Sequence, residues 1–100
     1  MTIDATTETF DAAIAQGKVV VDFWATWCGP CKMQGAILEK QLEPSAADVK
    51  IVKVDVDANP ALAQRFGIMS IPALRLFKDG RQVASFDGVT KPETLLAAFA

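Results

Sequence analysis

Residues 19–32 read Val19-Val20-Val21-Asp22-Phe23-Trp24-Ala25-Thr26-Trp27-Cys28-Gly29-Pro30-Cys31-Lys32. The first six form a near-continuous β-branched and aromatic run, the pattern of a central strand buried on both faces of its sheet. A helix-like stretch follows Cys28, so a strand delivers two thiols to the first turn of a helix. Unpaired backbone N–H groups and the helix dipole favour negative charge there. A thiol so placed has a lowered pKa, and the thiolate is its reactive form. Cys28 and Cys31 are the only two cysteines in the chain, and their placement predicts dithiol–disulfide exchange.

One hundred residues predict a single domain, 1–100, able to bury a core without staples. With 51% hydrophobic and 22% charged residues the composition is that of a compact globular protein, not of a disordered chain, and the alternation of helix and strand signals makes it α/β. A net charge of -2 argues against nucleic acid as a main partner. The start, Met1-Thr2-Ile3-Asp4-Ala5-Thr6-Thr7-Glu8, lacks the apolar core of a signal peptide, and no apolar run approaches membrane-spanning length. The expected location is the cytoplasm, where thiols are kept reduced.

Helix and strand signals alternate outward from this stretch. Thr2 to Asp4 suits a short edge strand. Phe10, Ala13 and Ile14 recur at helical spacing after Thr6-Thr7, which can cap, and Gly17 closes that helix. The helix from Cys28 should run to about Leu42, with Pro44 helping to end it. Val49 to Val56 reads as a second buried strand, with Val52, Val54 and Val56 on one face and Ile51 and Lys53 on the other. Asn59 and Pro60 predict the cap and first position of a short helix through Phe66, stopped by Gly67. Pro72 to Lys78 and Gln82 to Phe86 are strands joined at Asp79-Gly80, a strong hairpin signal. Thr90-Lys91-Pro92-Glu93 fits a capping box ahead of a last helix whose inner face is Leu95, Leu96 and Phe99. The whole predicts a mixed sheet with helices on both faces.

Position assigns the thiols their roles. Cys28, exposed at the helix start, is the nucleophile that forms a mixed disulfide with a target. Cys31, one turn in and more buried, resolves it by attacking Cys28. A zinc site would need four ligands, and the chain has no histidine and no further cysteine; no metal residues are assigned. A merely structural disulfide closing so short a loop would constrain the unfolded chain little. Gly29 and Pro30 set the loop between the thiols. Pro30 has no N–H to stabilise a thiolate, which fits a reductant better than an oxidant. Asp22 shares a strand face with Val20 and Trp24 and is expected to be buried beneath the thiols. Burial raises a carboxyl pKa, which suits a proton acceptor near neutral pH. Lys53 on the neighbouring strand is its natural partner, as a structural salt bridge or as a group that tunes the base. Trp27, beside the thiol, suits a flat apolar contact surface.

Over its whole length the chain resembles the thioredoxin family. The residues that carry the resemblance are Val21 to Met33, Val54-Asp55-Val56-Asp57-Ala58-Asn59-Pro60, Phe66-Gly67-Ile68, Ile71-Pro72, Leu76-Phe77-Lys78-Asp79-Gly80 and Gly88. A bare CxxC is a weak signal, but these blocks in this order are specific. The resemblance implies a thioredoxin fold: a central mixed five-stranded sheet flanked by about four helices. It implies that Trp27, Ile71, Pro72, Gly88 and Val89 surround the sulfurs, and that the Ile71–Pro72 bond is cis and leaves the Ile71 backbone free to pair with a client strand. Asp22 would take the proton of Cys31 through water. It further implies a monomeric protein-disulfide reductase with no bound cofactor, acting on disulfide-containing client proteins and rereduced by a thioredoxin reductase that uses NADPH.

Three positions depart from the family pattern. Ala36 stands where a second proline usually kinks the active-site helix, Gln41 where an apolar residue is common, and Ala73 where threonine usually follows the cis proline. None removes a reacting group. The competing readings are a thiol oxidase or isomerase, disfavoured by Pro30, a CxxC metal- or cluster-binding dimer, disfavoured by ligand count, and a structural partner without redox activity.

Overall fold

A computed structural model describes residues 1–100. Strands β1 (Thr2–Asp4), β2 (Lys18–Trp24), β3 (Val49–Asp55), β4 (Ala73–Lys78) and β5 (Arg81–Asp87) form one five-stranded sheet in the order β1-β3-β2-β4-β5. β3 runs parallel to both β1 and β2, whereas β4 is antiparallel to β2 and β5. The β2 run therefore lies at the centre, as its composition predicts. Alternate β2 side chains serve opposite faces. Val19, Val21 and Phe23 join Phe10, Leu62 and Phe77 in one core, while Val20 joins Leu38, Leu42, Leu76 and Leu95 in the other. Asp22 lies on the Val20 side, in register with Lys53 on β3 and Leu74 on β4.

The helices are α1 (Phe10–Ala13), α2 (Gly29–Ile37), α3 (Glu43–Ser45), α4 (Pro60–Arg65) and α5 (Pro92–Ala97). A π-helical turn, Leu38–Leu42, makes α2 and α3 one continuous helical segment, longer than the sequence suggests. Pro44 explains the widening. Its ring would collide with the carbonyl four residues back and it has no N–H to offer that carbonyl. The wider turn relieves this: the Glu43 amide bonds the Leu38 carbonyl, five residues back. The Ser45 hydroxyl bonds the Gln41 carbonyl at 2.6 Å, and the chain leaves the helix only at Ala46.

Local signals held at the turns and diverged at two caps. Asp79 and Gly80 take positive φ values of 51° and 84°, the pairing a two-residue hairpin turn requires. The Asp79 carboxylate also accepts the Gly17 amide at 2.8 Å, anchoring the hairpin to the connection between α1 and β2. Thr6 and Thr9 exchange amide-to-hydroxyl bonds of 2.9 and 3.3 Å ahead of α1. Asn59 occupies the cap position of α4, but its side chain accepts the Thr7 amide at 2.9 Å instead of capping its own helix. The expected capping box at Thr90 and Glu93 does not form. Lys91 is the cap residue of α5, and Thr90 is engaged elsewhere, as described below.

Candidate active site

Cys28 is the N-cap residue of α2, in extended backbone, and its sulfur accepts the Cys31 amide at 3.2 Å. One otherwise orphaned N–H of the helix start thus points at sulfur, as expected for a site that stabilises a thiolate. Cys28 and Cys31 are joined as a disulfide with Cα atoms 5.3 Å apart. Gly29 and Pro30 form the first two helical positions between them, both exposed. The expected contrast in exposure is absent: Cys28 is 4% exposed and Cys31 3%. The sulfurs form a small apolar cluster with Ala25, packed against Trp24, Val56 and Ile71, so in this oxidised form both cysteines are buried.

Three further segments converge on the pair. Trp27 is 69% exposed, yet its orientation is fixed because the indole N–H donates to Asp57 at 2.7 Å. The Ile71–Pro72 bond is cis, Pro72 is buried, and the Ile71 carbonyl oxygen lies 3.8 Å from Cys28 Sγ. Neither the N–H nor the carbonyl of Ile71 has a backbone partner. Gly88 adopts φ 90°, a conformation costly for any residue with a Cβ, and its amide donates to the Pro72 carbonyl at 2.8 Å. Val89 beside it is exposed.

Asp22 is fully buried and neither carboxylate oxygen accepts a hydrogen bond. Desolvation therefore pushes its pKa up to about 6, against the lowering pull of Lys53. Lys53 Nζ stands 4.0 Å from the nearer oxygen and 5.1 Å from the centre of the Trp24 ring. A cavity of about 330 Å³ has Cys31, Lys53, Trp24 and Gly35 in its wall, wide enough for several waters. The absence of a side chain at Gly35 leaves room for the lysine: a Cβ there would stand 3.2 Å from Lys53 Nζ. Cys31 and the ammonium partner of Asp22 therefore share one space.

The structure thus brings Cys28, Cys31, Gly29, Pro30, Trp27, Ile71, Pro72 and Gly88 to one end of the sheet, with Asp22 and Lys53 beneath. Two further residues contribute to the site, Asp57 and Gln34. Asp57 lies in the short loop between β3 and α4 and carries no local signal. Gln34 does carry one: it falls on the apolar stripe of Cys31, Leu38 and Leu42, and a polar residue there has to find a partner. No helix is long and apolar enough to cross a membrane, and no cluster of three or more histidine, cysteine or acidic side chains is gathered in a metal-binding arrangement.

The family model described as Thioredoxin matches residues 1–100. The chain is 45% identical over 95 residues to thioredoxin of Listeria monocytogenes, covering 95% of this chain and 92% of that one. It is 47% identical over 100 residues to thioredoxin of Alicyclobacillus acidocaldarius, covering 99% of this chain and 95% of that one. Among solved structures, the crystal structure of Malassezia sympodialis thioredoxin superposes with a TM-score of 0.83 at 38% identity, over 97% of this chain and 88% of that one. With its two cysteines paired at the head of α2, the protein is a protein-disulfide reductase working by dithiol–disulfide exchange, and the chain belongs to the thioredoxin family.

Proposed function

We propose that Cys28 is the nucleophile and Cys31 the resolving thiol of a general reductant of protein disulfides. The observation that carries this is the Cys31 amide aimed at Cys28 Sγ from the first turn of α2. In the reduced protein the Cys28 thiolate attacks one sulfur of a client disulfide. The Cys28–client bond forms, the client S–S bond breaks, and the departing client thiolate takes up a proton. Cys31 then gives its proton through water to Asp22, and its sulfur attacks Cys28: the Cys28–Cys31 bond forms, the Cys28–client bond breaks, and the second client thiolate takes up a proton. The client leaves as a dithiol and the protein as the disulfide, so two electrons have passed to the client.

Asp22 acts as the base because burial brings its pKa near neutrality, and Lys53 tunes it as the one cation beside it. Trp27, Gly29, Pro30, Ile71, Pro72, Gly88 and Val89 form the client-contacting surface. The unpartnered Ile71 backbone can pair with an extended client segment by strand addition. The protein works as a cytoplasmic single-domain monomer without a bound cofactor, and a thioredoxin reductase returns its electrons from NADPH. Insulin-disulfide reduction with the native protein, Cys28→Ser and Cys31→Ser tests the assignment: both substitutions abolish turnover, and full activity in either one overturns it.

A further inference from the structure

Gln34 is fully buried one turn beyond Cys31, on a helix face otherwise given to apolar side chains. Its carboxamide meets the backbone of Thr90 twice: Oε1 accepts the Thr90 amide at 2.7 Å, and Nε2 donates to the Thr90 carbonyl at 3.1 Å. Only this orientation of the amide group matches a backbone donor with an acceptor and a backbone acceptor with a donor. The side chain therefore imitates a peptide group pairing with a strand.

The connection continues. The Thr90 hydroxyl donates to the Gly88 carbonyl at 3.0 Å, and the Gly88 amide donates to the Pro72 carbonyl at 2.8 Å. One chain of hydrogen bonds thus runs from the active-site helix through Thr90 and Gly88 to the cis proline, linking the helix to the two loops beside the sulfurs. An apolar residue at position 34 would pack against the core equally well but would leave the Thr90 amide and carbonyl, both at a buried residue, without partners.

We propose that Gln34 is a positioning residue for client binding: its carboxamide holds the Gly88–Thr90 loop in register with the dithiol helix. This rests on the reading that Gly88 and Val89 contact clients. The chemistry of the sulfurs does not pass through Gln34, so its effect is on capture of a protein disulfide and not on exchange with a small one.

The test separates kcat from KM in insulin reduction and compares reduction of a small aromatic disulfide. Gln34→Met keeps side-chain length and removes both hydrogen-bonding atoms. It should raise the KM for insulin about five- to tenfold, with kcat and the small-disulfide rate within about twofold of native. Gln34→Glu supplies a second readout that also serves if the methionine variant does not fold. A protonated carboxyl can repeat both bonds, whereas a carboxylate loses the donor and faces the Thr90 carbonyl. Its KM should match native at acidic pH and rise above the native profile as pH increases. An unchanged KM in Gln34→Met, an equal fall in the small-disulfide rate, or a Gln34→Glu profile parallel to native overturns the proposal. Val89→Asp checks the underlying reading separately: if this charge leaves the insulin KM unchanged, the loop is not a client contact and that assignment fails instead.

Discussion

Lys53 Nζ and the nearer carboxylate oxygen of Asp22 stand 4.0 Å apart, too far for a hydrogen bond, and both Asp22 oxygens are otherwise unpartnered. The lysine attracts the carboxylate without satisfying it. This leaves Asp22 with a pKa of about 6, between the exposed carboxylate range and a fully isolated buried acid. A tight ion pair would have held it ionised at all working pH values and unable to accept a proton.

The first prediction concerns stability. In the unfolded chain Asp22 titrates near 4, and in the fold near 6. Between those values the folded protein holds a proton that the unfolded chain has released, so this group makes stability fall as pH rises across the window. Above about pH 6 the cost is complete, roughly 3 kcal/mol for a shift of about two units. Asp22→Asn should therefore be more stable than native at pH 7, by up to that amount, and should lose the advantage near pH 4. Denaturant titrations at the two pH values check this. A variant less stable than native at pH 7 would mean that the carboxylate is a structural ion-pair partner.

Asp22→Asn should also slow the resolving step. The substitution keeps shape and removes the proton acceptor, so release of client from a preformed mixed disulfide should fall about 10²-fold, the lower end of the range for general-base catalysis. The native release rate should rise with pH through an inflection near 6, the region of the Asp22 pKa. Stopped-flow measurement of release from pH 5 to 8 reads both effects. An Asp22→Asn profile with the same inflection would assign the titration to another group.

The thiols should be unequal despite their similar burial. Cys28 receives the Cys31 amide, and nothing comparable points at Cys31. Brief alkylation of the reduced protein near neutral pH should therefore label Cys28 first. Cys31→Ser should accumulate a mixed disulfide with insulin, and Cys28→Ser should accumulate little. Mass spectrometry of labelled peptides and non-reducing gels decide it, and equal labelling with equal trapping removes the assignment of roles.

Trp27 and Asp57 make a fourth case. An exposed indole would lie against the protein in several ways without the 2.7 Å bond to Asp57. Asp57→Ala should free the ring without touching the dithiol. The KM for insulin should rise about two- to fivefold, as expected for loss of one charge-assisted hydrogen bond at an exposed site. Indole anisotropy should fall in parallel. A fixed indole together with an unchanged KM would show that packing alone holds Trp27.

Much of this fold is legible in the sequence. The β2 run names the central strand because its residues alternate between two cores, and Asp79-Gly80 names its turn because only such residues accept paired positive φ values. What failed were local rules overruled from a distance. Thr90 followed by Glu93 looks like a capping box, but Gln34 takes the Thr90 amide, and no local pattern can see a partner 56 residues away. Asn59 is similarly diverted to Thr7, 52 residues away. The cluster that buries Cys28 packs against Val56 and Ile71, long-range contacts that cap and dipole arguments do not contain.

The final prediction concerns Ala36. Helix α2 passes through Gly35 and Ala36 as regular α-helix, and the first irregularity is the π turn beginning at Leu38. A proline at 36 would withdraw the amide of that position from the ladder and press its ring on the carbonyl of Lys32, four residues back. Proline in a helix interior costs roughly 3 kcal/mol relative to alanine. Ala36→Pro should therefore lower stability by up to that amount and bend α2 between Cys31 and the π turn. The amide that faces Cys28 belongs to Cys31, a full turn upstream, and Pro30 already defines the loop between the thiols. The dithiol potential should thus move by no more than about 30 mV, equivalent to roughly 1.4 kcal/mol. Chemical denaturation and equilibration with glutathione measure the two quantities. A large change in potential with unchanged stability would place position 36 in electrostatic contact with the thiols and refute the separation between helix geometry and chemistry.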